Sequence, residues 1–590
     1  MAKLTLETLR KRFQNAVQAD DERRRLALED YEFKWGRQWD PDIVAELHRQ
    51  KRSALTINKI APMLQIISGY QRLNRYDPDF LPLGPDDTEK CNVARAVWKW
   101  QSALMRYDKH ESEVFDHGLT GGMGWFETGY DWDYERGDGR FFCRSVSPFD
   151  LYLDPECREM DLSDAKYICR ASWQDKDELA ASFPEHEAAI NAAAHDYDQD
   201  ETATMENRTI WYDDTTSKLR VVTVWYRTVE TQESYDAEGR PKKIPLRRIR
   251  FASLIGSTIL EDEPSPYDHN LFPFVLYTPD WDGEGDVPRG VVRQLKDPQR
   301  ELNKVRSQIV DLMNRMGTRG HFVPKGGLDP ANKRKLEQKG STPGVVIEHT
   351  PGQKPEAFDT TALPTGLAQL AQAYSDDIKE ISSINEEMLG QDVPASASGR
   401  AIELKQQASV TSIAKWFDAL RDAKMEVMKR FWGHDGRKGL FQQYMTDEKV
   451  VRLTKNGDAQ EFARVNEKVP VLDANGQPIM TGPDTVAAEI VNDLSLFEFD
   501  ITISDTPSTP SSRTAAFWKL LELIGKIGPD AIPPDVLIDA SDLPQKEQIK
   551  ERMQQAQQMA AQAQAAPPGV VPPQGGPTPQ QMQGAGAPVV

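Results

Sequence analysis

The sequence is short of the features that mark most alternative functions. It has no run of 18 or more apolar residues, which excludes a helix of bilayer-spanning length. Its start, MAKLTLETLRKRF, has no apolar core of signal-peptide length, so export is not expected and synthesis in the cytoplasm is the plain reading. Only four cysteines occur, Cys91, Cys143, Cys157 and Cys169, with no CxxC pair and no Cys/His ligand spacing. A disulfide framework is not expected in a chain of this size, and the four read as ordinary part-buried residues.

Catalytic signatures are equally scarce. No G-x-x-x-x-G-K-[ST] loop occurs, because Gly525-Lys526 lacks the upstream glycine, so any ATP hydrolysis must come from a partner. HExxH and Gly-x-Ser-x-Gly are absent. The best metal candidates are His195-Asp196-Tyr197-Asp198-Gln199-Asp200, in a polar acidic loop, and His434-Asp435, behind a helix C-terminus; solvated loop and helix cap are the plainer readings. Trp98, Trp100, Trp125 and Trp132 are chemically able to stack on bases, but their helical or alternating spacing reads as core. Neither enzyme activity nor a cofactor is expected.

What is present is a long, acidic chain with one basic island. With 590 residues, 39% hydrophobic and 28% charged, it is large enough for several domains and an ample core. The net charge of −20 has the wrong sign for a protein that simply grips DNA by neutralising phosphates. Yet Arg289 to Lys339 holds 13 Lys and Arg against 5 Asp and Glu, leaving 59 against 87 elsewhere.

Periodicity divides the chain. Residues 3–35 read as a helix through Leu6, Leu9, Phe13, Ala16 and Val17. An aromatic turn, FKWGRQW (Phe33–Trp39), follows, then Leu55–Arg75 as a strand entering a helix with Pro62 in its first turn. DPDFLPLGPDD reads as a break, and residues 88–117 as one helix with Val93, Val97, Trp100 and Leu104 on a face. Residues 118–175, 219–230 and 249–263 read as strands and tight turns, with a helical piece and an acidic loop across 177–217. A helix-rich stretch covers 289–433, strand-like pieces follow (EKVVRLT, LFEFDITIS), and helices are expected near 511–527 and 544–565. Pro567–Val590 is an uncharged Pro/Gly/Gln segment that cannot bury enough apolar surface to order itself.

The basic island has a shape. Asp297-Pro298 reads as a helix start, with Asp as N-cap and Pro in the first position. Leu302, Val305, Ile309, Leu312, Met313 and Met316 then fall on one side, and Arg300, Lys304 and Arg315 on another, with Arg293 and Lys296 extending the basic stripe. A solvated basic face is one reading of this helix; a helix flanking a channel in a ring is the other. A small basic module from Gly317 to Lys354 follows, with Lys333, Arg334, Lys335 and Lys339, and a second helix, Thr365–Met388, returns. The long helix Ser398–Trp432 carries an apolar seam, Ile413, Phe417, Leu420, Val427 and Phe431, which suggests packing against the stem and neighbouring subunits.

Blocks that follow one another along the chain resemble podovirus-type phage portal proteins. Asp268–Gln308 is similar to the approach to that family's stem, and FKWGRQW with Leu55–Arg75 to its N-terminal signature. GGMGWFETGYDW, SPFDLYLDPEC and DLSDAKYICRASW match the order of its wing, and SGRAIELKQQASVTSIAKWFDALRDAKMEVMKRFW its long helix. The blocks are collinear over about residues 25–435.

The resemblance implies an α+β, helix-rich multidomain fold of wing, stem, clip and crown, assembling into a ring that in this family usually has twelve subunits. Its parts would be helices and wing at 1–288, stem helix 1 at 289–316, clip at 317–364 and stem helix 2 at 365–389. A channel loop at 390–400, the long helix and return to the wing at 401–510, crown helices at 511–566 and the tail at 567–590 complete it. The ring would sit at a capsid portal vertex, having assembled in the host cytoplasm, and carry double-stranded DNA. It would dock the terminase large subunit and then tail adaptor proteins, and contact major capsid and scaffolding proteins, with no membrane partner. DNA-facing candidates are Arg300, Lys304, Arg315, Ser396, Ser398 and Arg400. Docking candidates are Arg319, Lys325, Lys333, Arg334, Lys335 and Lys339. The alternatives are another head–tail adaptor or minor capsid protein, and, from a different class, a DNA-processing enzyme.

Overall fold

A computed structural model describes residues 3–82, 84, 87–133, 137–193, 212–213, 218–235, 241–281, 287–317, 321–339, 344–357, 365–382, 399–447, 449–454, 460–470, 488–497 and 499–503. The chain divides into two compact units, Met1–Leu453 with Phe462–Thr509, and Thr454–Glu461 with Pro510–Val590. The candidate site described below lies in the first. The expected crown helices and tail lie outside the described residues.

Helices α1 (Leu6–Lys34), α2 (Pro41–Arg49) and α3 (Ile60–Leu73) open the chain, followed by β1 (Pro78–Pro82), α4 (Thr88–Met105) and α5 (Tyr107–Gly121). A β-rich part contains β2 (Gly124–Asp133), β3 (Asp138–Val146), β4 (Leu151–Leu153) and β5 (Tyr167–Asp175). It continues through α6 (Lys176–Ser182), α7 (Glu187–Ala193), β6 (Tyr212–Asp213), β7 (Lys218–Tyr235), β8 (Pro241–Ile255), β9 (Thr258–Pro264) and β10 (Phe274–Tyr277). Then come α8 (Val291–Gly317), β11 (His321–Phe322), α9 (Pro330–Lys339), β12 (Glu356–Ala357), α10 (Thr365–Ile381), α11 (Gly399–Trp432) and α12 (Leu440–Tyr444). Strands β13 (Lys449–Thr454), β14 (Gln460–Val465), β15 (Glu467–Pro470), β16 (Ala488–Val491) and β17 (Phe499–Ile503) close the described part. The mixture is α+β, as expected.

The largest sheet is antiparallel, in the order β4-β5-β7-β8-β9 with β6 added against β7; a second has the order β10-β2-β3. Helix α1 starts where Thr5 accepts from the Thr8 amide, and it lays Leu9, Phe13 and Ala16 on the sheet beside Tyr167, Val224 and Leu254. The main core joins α3, α4, α5, α8, α10 and α11 through Ile67, Trp98, Phe115, Leu302, Ile378 and Phe431. The start of α8 is clamped onto the end of α5. Gly122 has φ +93°, and a side chain there would lie 2.5 Å from the Pro288 carbonyl oxygen; one at Gly290 would lie 2.4 Å from that of Thr120.

Several expectations need correction. Residues 88–117 form two helices, because Arg106 adopts φ +53° and turns the chain so that Met105 and Tyr107 both reach the core. That leaves Leu104 63% exposed, off the apolar face assigned to it. The break at 77–87 contains β1, whose partner, β17, lies more than 400 residues away. The segment 249–263 is strand and tight turn as expected, with β8 and β9 forming a hairpin that turns at Gly256. Trp98 and Trp125 are buried and Trp100 packs against the core, but Trp132, near the end of β2, is 46% exposed. The described part of the α11 seam is covered by the chain itself, chiefly by α5, α4 and α12, so it supplies no argument for assembly. All four cysteines are fully buried and unpaired.

Candidate functional site

Helix α8 begins at Val291 and runs through Pro298, the residue expected to be its first. Val292 and Leu295 are fully buried, and their burial outweighs the hydrogen bond that proline cannot donate. Helix α10 packs back along it: Ala371 and Ile378 share the core with Leu302 and Val305, and a shallow groove places Asp297 and Glu301 beside Asp377 and Glu380. The end of α10 therefore meets the start of α8, and the two helices are antiparallel.

On its other side α8 is bound by an extended segment that joins no sheet. The start of Leu55–Arg75 is expected as a strand, but the amides of residues 53–59 bond to helix side chains. Ser53 N–H donates to Asp311 Oδ1 at 3.1 Å, Leu55 to Ser307 Oγ at 2.9 Å, Ile57 to Asn303 Oδ1 at 2.9 Å and Lys59 to Gln299 Oε1 at 3.0 Å. Two residues of extended backbone advance about 6.6 Å and four of helix about 6.0 Å, so alternate amides meet every fourth helix residue for four rungs. Gln299 also donates to the Ile57 carbonyl, and Asn303 to Gln38 Oε1. These four polar residues are all buried. Sequence reasoning missed them; the spacing 299, 303, 307, 311 was the available signal.

The basic stripe is mostly answered within the chain. Arg293 pairs with Asp30 at 2.8 Å, and Lys296 with Glu29 at 2.7 Å and Asp30 at 3.0 Å. Arg300 pairs with Glu29 and with Asp297 and lies over the Phe33 ring; Lys304, exposed, pairs with Glu301 at 2.5 Å. Burial works against the charge of Glu29, but Lys296 and Arg300 outweigh it and hold its carboxyl below the usual range. Burial instead pushes the Asp30 carboxyl up, against the pull of Arg293 and Lys296. Arg293 and Lys296 thus hold α1 to α8 and form no solvated face. Arg315 lies in the last turns of α8 and Arg400 is the second residue of α11, while Ser396 and Ser398 lie outside the described residues.

The module between the two helices is closed at its neck by β11 and β12, which pair His321 with Ala357 and Phe322 with Glu356. Within it, Asp329 and Pro330 start α9, the Asp329 carboxylate accepting from the Asn332 amide. Lys333, Arg334, Lys335 and Lys339 on α9, and Lys325 in the preceding turn, are all exposed, and among the described residues none enters an ion pair. Arg319 lies outside the described residues. His434 and Asp435 sit in a tight turn, Asp435 at φ +49°, with the His434 amide bonded to the Arg437 carbonyl. The cluster from His195 to Asp200 lies outside the described residues, and no group of metal-ligating side chains occurs among the described ones.

The two antiparallel helices α8 and α10 carry an exposed cationic module between them and are fastened to a large α+β body. A family model described as phage P22-like portal protein matches residues 10–588. That span covers the body, the helix pair and its cap alike, and the chain belongs to the P22-like phage portal protein family.

Proposed function

We propose that the helix pair α8–α10 flanks the channel of the portal and that the module between them faces outward as its docking surface. As a portal protein the chain serves DNA packaging and ejection at the portal vertex of the capsid, in a structural, ring-forming family. Within that role the wing corresponds to residues 1–288, the clip to 317–364 and the channel loop to 390–400, and twelve subunits close the ring. The terminase large subunit docks on the clip during packaging, and tail adaptors take its place afterwards.

One observation carries this reading: the cations near the body are neutralised by Glu29 and Asp30, whereas Lys325, Lys333, Arg334, Lys335 and Lys339 on the module remain exposed and unpaired among the described residues. A cationic patch held out on a two-helix stalk suits charge-steered docking of an acidic partner. Arg300 and Lys304, each answered by a carboxylate, present little net charge to passing DNA, so phosphate contacts stay shallow and translocation smooth.

Electron microscopy of the purified chain should show rings with a central hole wide enough for duplex DNA, of about 800 kDa for twelve subunits of 66.6 kDa each. A chain that stays monomeric at every concentration would end this reading. Replacing Lys333, Arg334 and Lys335 by glutamine should weaken motor binding and packaging together while rings still form; unchanged binding would remove the docking role.

A further inference from the structure

The module between α8 and α10 has no interior of its own. Among its described residues, 321–339 and 344–356, only Gly327 is buried, and α9 buries no side chain. Phe322 is 66% exposed and Val346 71%, while Leu328, Leu336, Val345 and Ile347 are half-buried. A unit of fewer than about 40 residues seldom holds its shape without a core, and is usually completed by disulfides, a metal or another subunit. The module holds no cysteine, and no group of metal-ligating side chains occurs among the described residues. Its charges are unanswered as well. Residues 321–357 carry six Lys and Arg and four Asp and Glu, and among the described residues none of these ten enters an ion pair.

Within the module lies a strand-like segment that joins no sheet. Val345-Val346-Ile347 is a β-branched run, the residue type that suits a pleated, half-buried surface. From Val345 to Glu348 the residues alternate between half-buried and exposed, the period of a strand, yet the segment belongs to no strand, helix or turn. The five consecutive amides of Val345 to His349 have no hydrogen-bond partner among the described residues, and the next, that of Thr350, donates to the Gly327 carbonyl at 3.0 Å. The strap at 53–59 is also outside any sheet, but α8 side chains answer its alternate amides. The edge that the segment lacks is present in every copy. Strands β11 and β12 make a sheet of two, so each keeps a free edge among the described residues, and two such short strands are marginal without a third.

We propose that Val345–His349 of each copy adds as a third strand to the free edge of β11 in the next copy, with Val346 packed against Phe322 there. Backbone hydrogen bonds would give the contact its strength and the apolar pair its register. The motor and the tail adaptors take turns at the module, but a unit without a core needs its cover whenever it is folded. In a ring-forming family the lasting neighbour is another copy, whose module brings unpaired charges of both signs. The contact is heterologous, so it closes with the ring, and it rests on the ring reading above. None of the cations assigned to docking is used by it.

Hydrogen exchange of purified rings of the full chain, read by mass spectrometry, tests the contact. Amides 345–349 should exchange at least tenfold more slowly than those of an unstructured peptide of the same sequence. Exchange at the peptide's rate in intact rings overturns the proposal. Protection that appears only when the motor protein is added also overturns it, and hands the segment to that partner. A second measurement identifies the acceptor. Chains carrying Val346→Cys and chains carrying Phe322→Cys are assembled together and mildly oxidised; the four native cysteines are buried. A non-reducing band at twice 66.6 kDa is expected from the mixture and from neither variant alone. Slow exchange without that band overturns the pairing with β11. A wild-type chain that forms no rings fails differently: it overturns the ring reading, and this contact with it.

Discussion

Arg430 shows what a single buried charge does for this body. Its guanidinium is 1% exposed and donates to the carbonyls of Phe272 and Phe274 at 2.8 and 3.0 Å, while Glu426 takes the third side. It ties the end of α11 to the strand β10 and its approach. Arg430→Met keeps much of the volume but leaves the two carbonyls without their donor and Glu426 with Lys429 alone, at a cost of about 3–5 kcal/mol. A clearly lower apparent unfolding temperature and soluble yield are expected; an unchanged midpoint would mean that water replaces the side chain. His269 carries a pH dependence. It is fully buried, and burial first, then Arg430, His434 and Arg437, holds its pKa well below the ordinary value. Below about pH 6.5 the unfolded chain takes a proton at this residue and the folded chain does not. Stability contributed by the neutral ring is therefore present above that pH and lost as pH falls, by up to about 1.4 kcal/mol per pH unit. His269→Asn should flatten the fall of the unfolding midpoint between pH 7 and 5 relative to wild type. Parallel curves would assign that fall to the carboxylates alone.

At the scale of elements, α8 is held from three directions, by α10, by α1 through ion pairs, and by the 53–59 segment through the four-rung ladder. The ladder is the part whose loss can be read locally. Asn303→Leu removes the acceptor of the Ile57 amide and the donor to Gln38, at a cost of about 1–3 kcal/mol for the orphaned groups. Amides of residues 53–59 should exchange with deuterium roughly tenfold faster or more, while the β2–β3 sheet keeps its protection. Uniformly faster exchange would show that the ladder supports the whole body and not the strap alone.

At the scale of the molecule, a chain of net charge −20 carries one basic island, which is largely neutralised wherever it touches the body. Assembled rings should therefore bind duplex DNA weakly at about 0.15 M ionic strength, and fluorescence anisotropy should show binding only when salt is lowered. Tight binding that persists at 0.5 M salt would contradict a conduit built to let DNA slide.

The linear order of residues was enough to mark the helix–module–helix segment, the β-rich body and the family, because those depend on periodicity, turn residues and collinear blocks. The local rules failed where burial competed with them. Asp297-Pro298 has every mark of a helix start, yet the buried Val292 and Leu295 begin the helix earlier. Arg106 takes a left-handed conformation that no propensity favours, because two buried neighbours require the turn. Pairings across more than 200 residues were beyond the reach of spacing: β1 with β17, Asn303 with Ile57, and Asp30 with Arg293. A run of cations reads the same in sequence whether water or carboxylates surround it. Folding brings Glu29 and Asp30 against α8, and that placement alone turns part of the basic stripe into structural ties and leaves the charge on the cap.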